Sequence, residues 1–185
     1  MTFSGLAVVV VATAGVWYTV WPTLPDVESL RRVELQTPLR IYTRDGLLMR
    51  EFGEKRRVPL KIHEIPAEMK LAVIATEDRN FLKHVGVDPI GIARAVFYIL
   101  REGRKGPGGS TITMQLTNNL SFDSDNVYLR KIKSIPFALQ IERELTKEEI
   151  LTLYLNTAYF GAGADGIGAA AYVYYGKEVN ELSLA

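Results

Sequence analysis

Residues 6–23, LAVVVVATAGVWYTVWPT, form an almost wholly apolar run without a charged side chain. A helix of about eighteen residues is roughly 27 Å long, close to the hydrocarbon thickness of a bilayer. Trp17, Tyr18 and Trp21 cluster at the C-terminal end of the run, and aromatic side chains favour the membrane interface. The run therefore predicts a single transmembrane anchor over residues 1–24.

A cleaved signal peptide is the alternative, because Ala12-Thr13-Ala14 resembles a small-residue cleavage site. The apolar run continues past this site, and no Lys or Arg precedes it. These two features favour a retained anchor.

The composition excludes several classes of protein. The formal net charge of the 185 residues is +1, so no global field attracts nucleic acid, and we expect no nucleic-acid partner. Cysteine is absent, which excludes a disulfide scaffold and thiolate-bound zinc. The hydrophobic content of 48% supports a buried core.

Residues 25–64 are expected to form a juxtamembrane linker with a small β-hairpin. The stretch PLRIYTRDGLLMREF alternates as a strand does around the turn signal Arg44-Asp45-Gly46. From Pro66 onward the pattern is helical, so residues 65–185 are predicted to be a mainly α-helical domain.

Capping residues and helix-breaking residues define the expected ends of these helices. The first is expected to run from Pro66 to a stop at Gly86, and the second to begin at about Pro89. Ser110 is expected to cap the helix TITMQLTNNL, and Thr146 to begin a capping box with Glu149. Pro136 interrupts the long helical stretch NVYLRKIKSIPFALQIERE and predicts a kink there.

The first candidate site lies in the predicted first helix. Glu77, Phe81 and His84 are spaced i, i+4 and i+7, so on a helix they share one face. A glutamate partly withdrawn from water can act as a general base. The alternative is a solvated Glu77-Asp78 pair on a surface helix, with His84 favoured near the helix C-terminus by the helix dipole.

The second candidate site has features that would bind an anion. The stretch GPGGSTIT offers backbone amides at a helix N-terminus, which suit a phosphate, although a flexible loop with a good cap gives the same pattern. Arg130, Lys131 and Lys133 oppose the dipole at the next helix start, which an anionic ligand would compensate and a solvated face would also explain.

Four motifs in order now resemble a known family: EDRNFLKHVGVDPIGIARA, GGSTITMQL, LRKIKSIPFALQIERELTKEEILTLYLN and YFGAGADGIGAAAYVYYGK. Together they resemble the peptidoglycan glycosyltransferase domain, glycosyltransferase family 51, of class A penicillin-binding proteins. The upstream LQTPLRIYTRDGLL and GEKRRVPL resemble the Gram-negative bifunctional type. The resemblance extends from about residue 25 to the end, and the family's domain continues further, so the chain is expected to be truncated at its C-terminus.

The resemblance implies a lysozyme-like helical fold that polymerises lipid II into β-1,4-linked glycan strands and releases undecaprenyl pyrophosphate. It implies Glu77 as the general base for an inverting transfer. It also implies substrate-binding roles for the other motif residues, namely Asp78, Phe81, His84, Gly109, Ser110, Thr111, Gln115, Asn118, Arg130, Lys131, Lys133 and Asn156.

The family further implies a divalent cation, Mg or Mn, at the pyrophosphate, without a dedicated metal site in the protein. The implied partners are lipid II, the growing glycan strand, the membrane and cell-wall synthesis proteins. The implied location is the cytoplasmic (inner) membrane, crossed once, with the catalytic domain on the periplasmic side.

Three positions depart from the family pattern. Ser134 replaces an acidic residue, Met114 replaces a glutamine, and Asn118 replaces a Lys or Arg that faces phosphate. They support a first alternative, a catalytically impaired module that binds lipid II or interacts with the cell-wall machinery. A second alternative is a lytic transglycosylase, which also uses one glutamate in a lysozyme-like fold but has no need of phosphate-binding motifs.

Overall fold

The fold is taken from a computed structural model, which describes residues 15, 18–27, 30, 39–52, 58–103, 109–121 and 127–182. Most of the predicted anchor, residues 1–24, lies outside these residues. Within them, no helix has the length and apolar character needed to cross a membrane.

Two short strands precede the main helical region. Strand β1, Leu39–Tyr42, pairs antiparallel with β2, Leu48–Phe52. The register joins Leu39 to Phe52 and shifts after Ile41. The amide of Gly46 donates to the carbonyl of Thr43, and a φ of +81° at this glycine closes the turn. The turn thus falls on the predicted Arg44-Asp45-Gly46 signal.

Six α-helices follow in the described part of the chain, which confirms the mainly helical class: α1 Ala67–Glu77, α2 Pro89–Glu102, α3 Ile112–Ser121, α4 Val127–Glu144, α5 Lys147–Thr157 and α6 Ile167–Tyr175. Asp88 begins α2 by accepting hydrogen bonds from the Ile90 and Gly91 amides. Thr146 and Glu149 form the predicted capping box at α5. Helix α4 continues through Pro136.

The prediction of one helix from Pro66 to Gly86 is wrong at its C-terminal end. Helix α1 ends at Glu77, and the segment 79–86 that follows, here called the turn segment, consists of turns over 79–83 and a bend over 84–86. Asp78 leaves helical geometry at φ −158° and ψ 81°, and its carboxylate finds partners outside the helix. Consequently Glu77, Phe81 and His84 do not share a helix face.

The core forms where α3 packs against α4 and α5. Its largest fully buried side chains include Phe81 from the turn segment, Ile112 and Leu116 of α3, and Phe137 of α4. Because the buried Phe81 lies four positions after Glu77, core packing fixes the segment that bears the candidate site.

Candidate active site

A cleft of about 380 Å³ opens between the end of α1, the start of α2 and the start of α3. It brings together six of the predicted site residues, including Glu77. The residues that line it are Thr76, Glu77, Asp78, Arg79, Asn80, Asp88, Gly91, Arg94, Gly109, Ser110, Thr111 and Gln115.

Glu77 is the last residue of α1, and its side chain faces this cleft. Gln115 Nε2 donates a hydrogen bond of 2.9 Å to Glu77 Oε2. No described residue bonds to the other carboxylate oxygen, Oε1. The carboxylate therefore has one oriented oxygen and one open to an incoming hydroxyl group.

Gln115 is held in turn by Tyr154 of α5. The Tyr154 hydroxyl lies 3.2 Å from Gln115 Oε1. Burial, and secondly the negative charge of Glu77, raise the pKa of Tyr154 to about 12. The phenol thus keeps its proton at neutral pH and can donate it in this hydrogen bond.

Asp78 joins two segments through its carboxylate. Its Oδ2 accepts hydrogen bonds from the Ile112 amide at 3.0 Å and from His84 Nε2 at 2.8 Å. The Gly86 amide donates to His84 Nδ1, so Nδ1 is the unprotonated nitrogen and Nε2 carries the hydrogen. Asp78 and His84 are therefore a structural bracket beside the cleft.

The N-terminus of α3 differs from its prediction. Thr111, not Ser110, provides the cap, because its hydroxyl accepts from the Met114 amide and donates to the Gly86 carbonyl. Asp78 already occupies the Ile112 amide. The amides at the start of α3 are thus largely satisfied inside the protein. Ser110 takes no part in these bonds, so its hydroxyl is left for the cleft, which it lines.

Phe81 and His84 do not line the cleft and lie next to a partly buried ion pair. Lys147 Nζ contacts Glu142 at 2.7 Å, donates to the His84 carbonyl at 2.7 Å, and lies 4.5 Å from the centroid of the Phe81 ring. Glu142 also accepts from the Thr113 hydroxyl. This cluster connects α3, α4 and α5 to the turn segment, and its residues support the site without lining it.

The remaining predicted site residues do not line the cleft. Asn118 is exposed on α3, and Arg130, Lys131 and Lys133 lie on the first half of α4. Asn156 is buried on α5, where its amide accepts from the Leu60 amide and donates to the Leu60 carbonyl. It anchors the segment before α1 rather than facing the cleft.

Two of the departures from the family pattern are buried. Ser134 is fully buried in α4, and its hydroxyl donates to the Lys131 carbonyl. Met114 is buried in the core side of α3. Neither side chain lines the described cleft.

Sequence reasoning missed the cationic residues of the cleft, Arg79 and Arg94. Arg79 is held by a bond from Nε to the Ala75 carbonyl, whereas no described residue pairs with the Arg94 guanidinium. A signal was present, since Asp88, Gly91 and Arg94 recur every three residues and so follow one face of α2.

Asp88 and Asn80 also line the cleft and are hydrogen-bonded to each other. Asn80 Nδ2 donates to Asp88 Oδ2 at 2.9 Å. This bond, followed by that from the Gly91 amide, holds the pKa of Asp88 below its ordinary value. Asp88 is therefore a helix cap that fixes the start of α2.

The cleft carboxylates do not form a metal site. Among the described residues, no three His, Cys, Asp or Glu side chains are grouped to hold an ion. Asp78 and Asp88 are both committed to hydrogen bonds within the protein. These residues do not fit a protein-held cation, so no chemical step is assigned to one.

Comparison with known proteins now defines the class. The sequence model described as transglycosylase matches residues 45–185, about three quarters of the chain. The chain belongs to the transglycosylase family. The match includes strand β2 as well as the helices that form the cleft.

The chain is also similar to proteins called penicillin-binding protein 1A. It is 47% identical to that of Vibrio cholerae over 100% of the chain and 22% of the relative. It is 49% identical to that of Escherichia coli K12 over 92% and 20%, and 48% identical to that of Pseudomonas aeruginosa over 96% and 22%. The chain thus spans about a fifth of the length of these relatives.

Proposed function

We propose that this chain is a peptidoglycan glycosyltransferase module that polymerises lipid II into β-1,4-linked glycan strands and releases undecaprenyl pyrophosphate. The observation that carries the proposal is the position of Glu77, with one open carboxylate oxygen, in a cleft that also contains two arginines. Membership of the transglycosylase family supports the same reaction class. The fold we propose is correspondingly lysozyme-like.

In the proposed step, Glu77 removes the proton from the 4-hydroxyl group of the acceptor sugar. The hydroxyl oxygen attacks the anomeric carbon of the donor, and the bond from that carbon to the pyrophosphate oxygen breaks. The pyrophosphate leaves with the bonding electrons, and the configuration at the anomeric carbon inverts. A positioned general base typically contributes about 10²- to 10⁴-fold to a rate.

The leaving group develops negative charge, which the cleft can stabilise. The cleft that contains Glu77 is also lined by the guanidinium groups of Arg79 and Arg94 and by the hydroxyl group of Ser110, all of which can donate hydrogen bonds. Guanidinium groups form strong, charge-assisted hydrogen bonds with phosphate oxygens. We therefore propose Arg94 and Arg79 as the principal pyrophosphate contacts.

The predicted substrate contacts of Asn118, Arg130, Lys131 and Lys133 remain predictions, as does a divalent cation carried by the pyrophosphate. Phe81, His84 and Asn156 are proposed to support the site indirectly, in keeping with their internal contacts.

A location at the periplasmic surface of the inner membrane is part of the proposal, because both substrates carry lipid chains. Helix α2 supports it: while Gly91 and Arg94 line the cleft, exposed apolar side chains cover much of the remaining surface, namely Ile90, Val96, Phe97, Ile99 and Leu100. An apolar surface of this kind beside a cleft suits contact with a lipid interface. Residues 1–24 would anchor the chain there.

The test is polymerisation of labelled lipid II by the 185-residue chain in detergent with divalent cation. We expect glycan polymer from the wild type and a rate at least about 100-fold lower from Glu77→Gln. Glu68→Gln is the matched control, because Glu68 is exposed in the first turn of the same helix. Absence of polymer from the wild type, or full activity in Glu77→Gln, would refute the proposal.

A catalytically impaired module that binds lipid II is the second candidate. Ser134 favours it, since a buried serine replaces the acidic residue of the family motif. In the same assay this candidate predicts lipid II binding without polymer. Release of anhydro-sugars from finished peptidoglycan would instead indicate a lytic transglycosylase.

A further inference from the structure

We propose that Tyr154 is a positioning residue that orients Glu77 through the side-chain amide of Gln115. The inference rests on the proposed role of Glu77 as general base. The hydrogen-bonded chain runs from the Tyr154 hydroxyl to Gln115 Oε1 over 3.2 Å, and from Gln115 Nε2 to Glu77 Oε2 over 2.9 Å.

The chemistry of the three groups fixes the direction of this chain. A carboxylate only accepts hydrogen bonds, so Gln115 must present its NH₂ group to Glu77. The amide oxygen then faces Tyr154, and the phenol must be the donor. An amide rotated by 180° would place its oxygen against the carboxylate, where neither oxygen has a hydrogen to donate.

Burial makes Tyr154 the rigid end of the chain. Its side chain is only 5% exposed and belongs to the core cluster with Ile150, Leu151 and Leu155 of the same helix. Glu77, by contrast, is exposed at the last position of α1. Without a fixed donor, an exposed carboxylate at a helix end samples several rotamers, which lowers the fraction of time in reactive geometry.

Tyr154→Phe removes the hydroxyl and keeps the buried ring. We expect kcat to fall roughly 3- to 10-fold with little change in KM for lipid II, the size expected for one neutral hydrogen bond. Tyr174→Phe is the matched control, because it also removes one hydroxyl bond, to the Phe160 carbonyl, on a residue that does not line the cleft. Its kcat should stay at the wild-type value.

A double-mutant cycle separates positioning from a structural role. Gln115→Leu removes the link, so Tyr154→Phe should have little further effect on kcat in that background. Equal effects of Tyr154→Phe in both backgrounds would overturn the inference while leaving the role of Glu77 intact. Loss of polymerisation in the wild type would instead overturn the proposed function.

A second readout does not depend on activity. In a ¹⁵N–¹H spectrum of the full chain, the Gln115 side-chain NH₂ signals, assigned by their loss in Gln115→Leu, should shift in Tyr154→Phe and stay in place in Tyr174→Phe. Unchanged signals in Tyr154→Phe would show that Gln115 keeps its orientation without the phenol, and would overturn the inference.

Discussion

Nε2 of His84 lies 2.8 Å from Oδ2 of Asp78, inside a segment that has no regular secondary structure. The same oxygen accepts from the Ile112 amide at 3.0 Å. The carboxylate therefore satisfies the first amide of α3, in addition to the Thr111 cap, and closes the turns that follow α1. Because Glu77 precedes Asp78 directly, this bracket also sets where the proposed base enters the cleft.

The first prediction concerns the charge of this bracket. Asp78→Asn preserves the shape of the side chain but converts two charge-assisted hydrogen bonds into neutral ones at a buried position. We expect the free energy of unfolding to fall by about 1–3 kcal/mol. Chemical denaturation, with Asp45→Asn in the exposed hairpin turn as control, measures it. A loss equal to that of the control would contradict the bracket.

The second prediction concerns the partly buried Lys147–Glu142 pair, in which the side chain of the lysine is 25% exposed and that of the glutamate 6%. Lys147→Met leaves that carboxylate buried without its cation and removes the donor to the His84 carbonyl. We expect a loss of about 3–5 kcal/mol in unfolding free energy.

The double variant Lys147→Met/Glu142→Gln provides the control. Its neutral amide no longer needs a cation and can still accept from Thr113, so it should be more stable than Lys147→Met alone. If the double variant is the less stable of the two, the cost does not arise from an unpaired charge.

The third prediction is a pH dependence at Asp88. Hydrogen bonds from Asn80 and then Gly91 lower its pKa in the folded state. Its contribution to stability is thus fully present above the pKa of the unfolded chain, and it is lost as the pH falls through the lower, folded value. Asp88→Asn should be less stable than the wild type at pH 7, and the difference should shrink below about pH 4. Denaturation midpoints measured from pH 7 to 3 test this, and a constant difference would contradict it.

Local signals in the sequence predicted the starts of α2 and α5. The Thr146–Glu149 box and the start of α2 at Pro89 depend on residues within one turn, so short-range chemistry decides them. The extension of α1 to Gly86 failed for the opposite reason. Asp78 bonds to Ile112, thirty-four positions away, and no local pattern contains that partner.

The residues of the candidate site also fall into two groups, those that local motifs predicted and those that depend on the tertiary fold. Glu77, Ser110 and Gln115 were named from motifs, and the fold does place them around one cleft. Arg79 and Arg94 were missed, because their shared position depends on how α1 and α2 approach one another. Asn156 was expected to contact substrate, but its amide is satisfied by Leu60 across ninety-six positions of sequence.

The last prediction tests the contact that holds the turn segment against α4. Gly86 has a φ of +98°, and a Cβ atom there would lie 2.8 Å from the Ala138 carbonyl oxygen. Gly103, at the end of α2, has a φ of +66° with nothing within 4 Å of an added Cβ. Gly103→Ala should therefore cost only the backbone penalty, about 1–2 kcal/mol. Gly86→Ala should cost roughly 1–3 kcal/mol more, because backbone of α4 must also move.

Thermal and chemical unfolding of the two alanine variants measure that difference. Lipid II polymerisation should also fall in Gly86→Ala and not in Gly103→Ala, since Gly86 accepts from the Thr111 hydroxyl and donates to His84 beside the cleft. Equal stabilities would mean that the turn segment does not pack against α4 at Ala138. Some contact other than the bracket of Asp78 and His84 would then have to fix the position of Glu77.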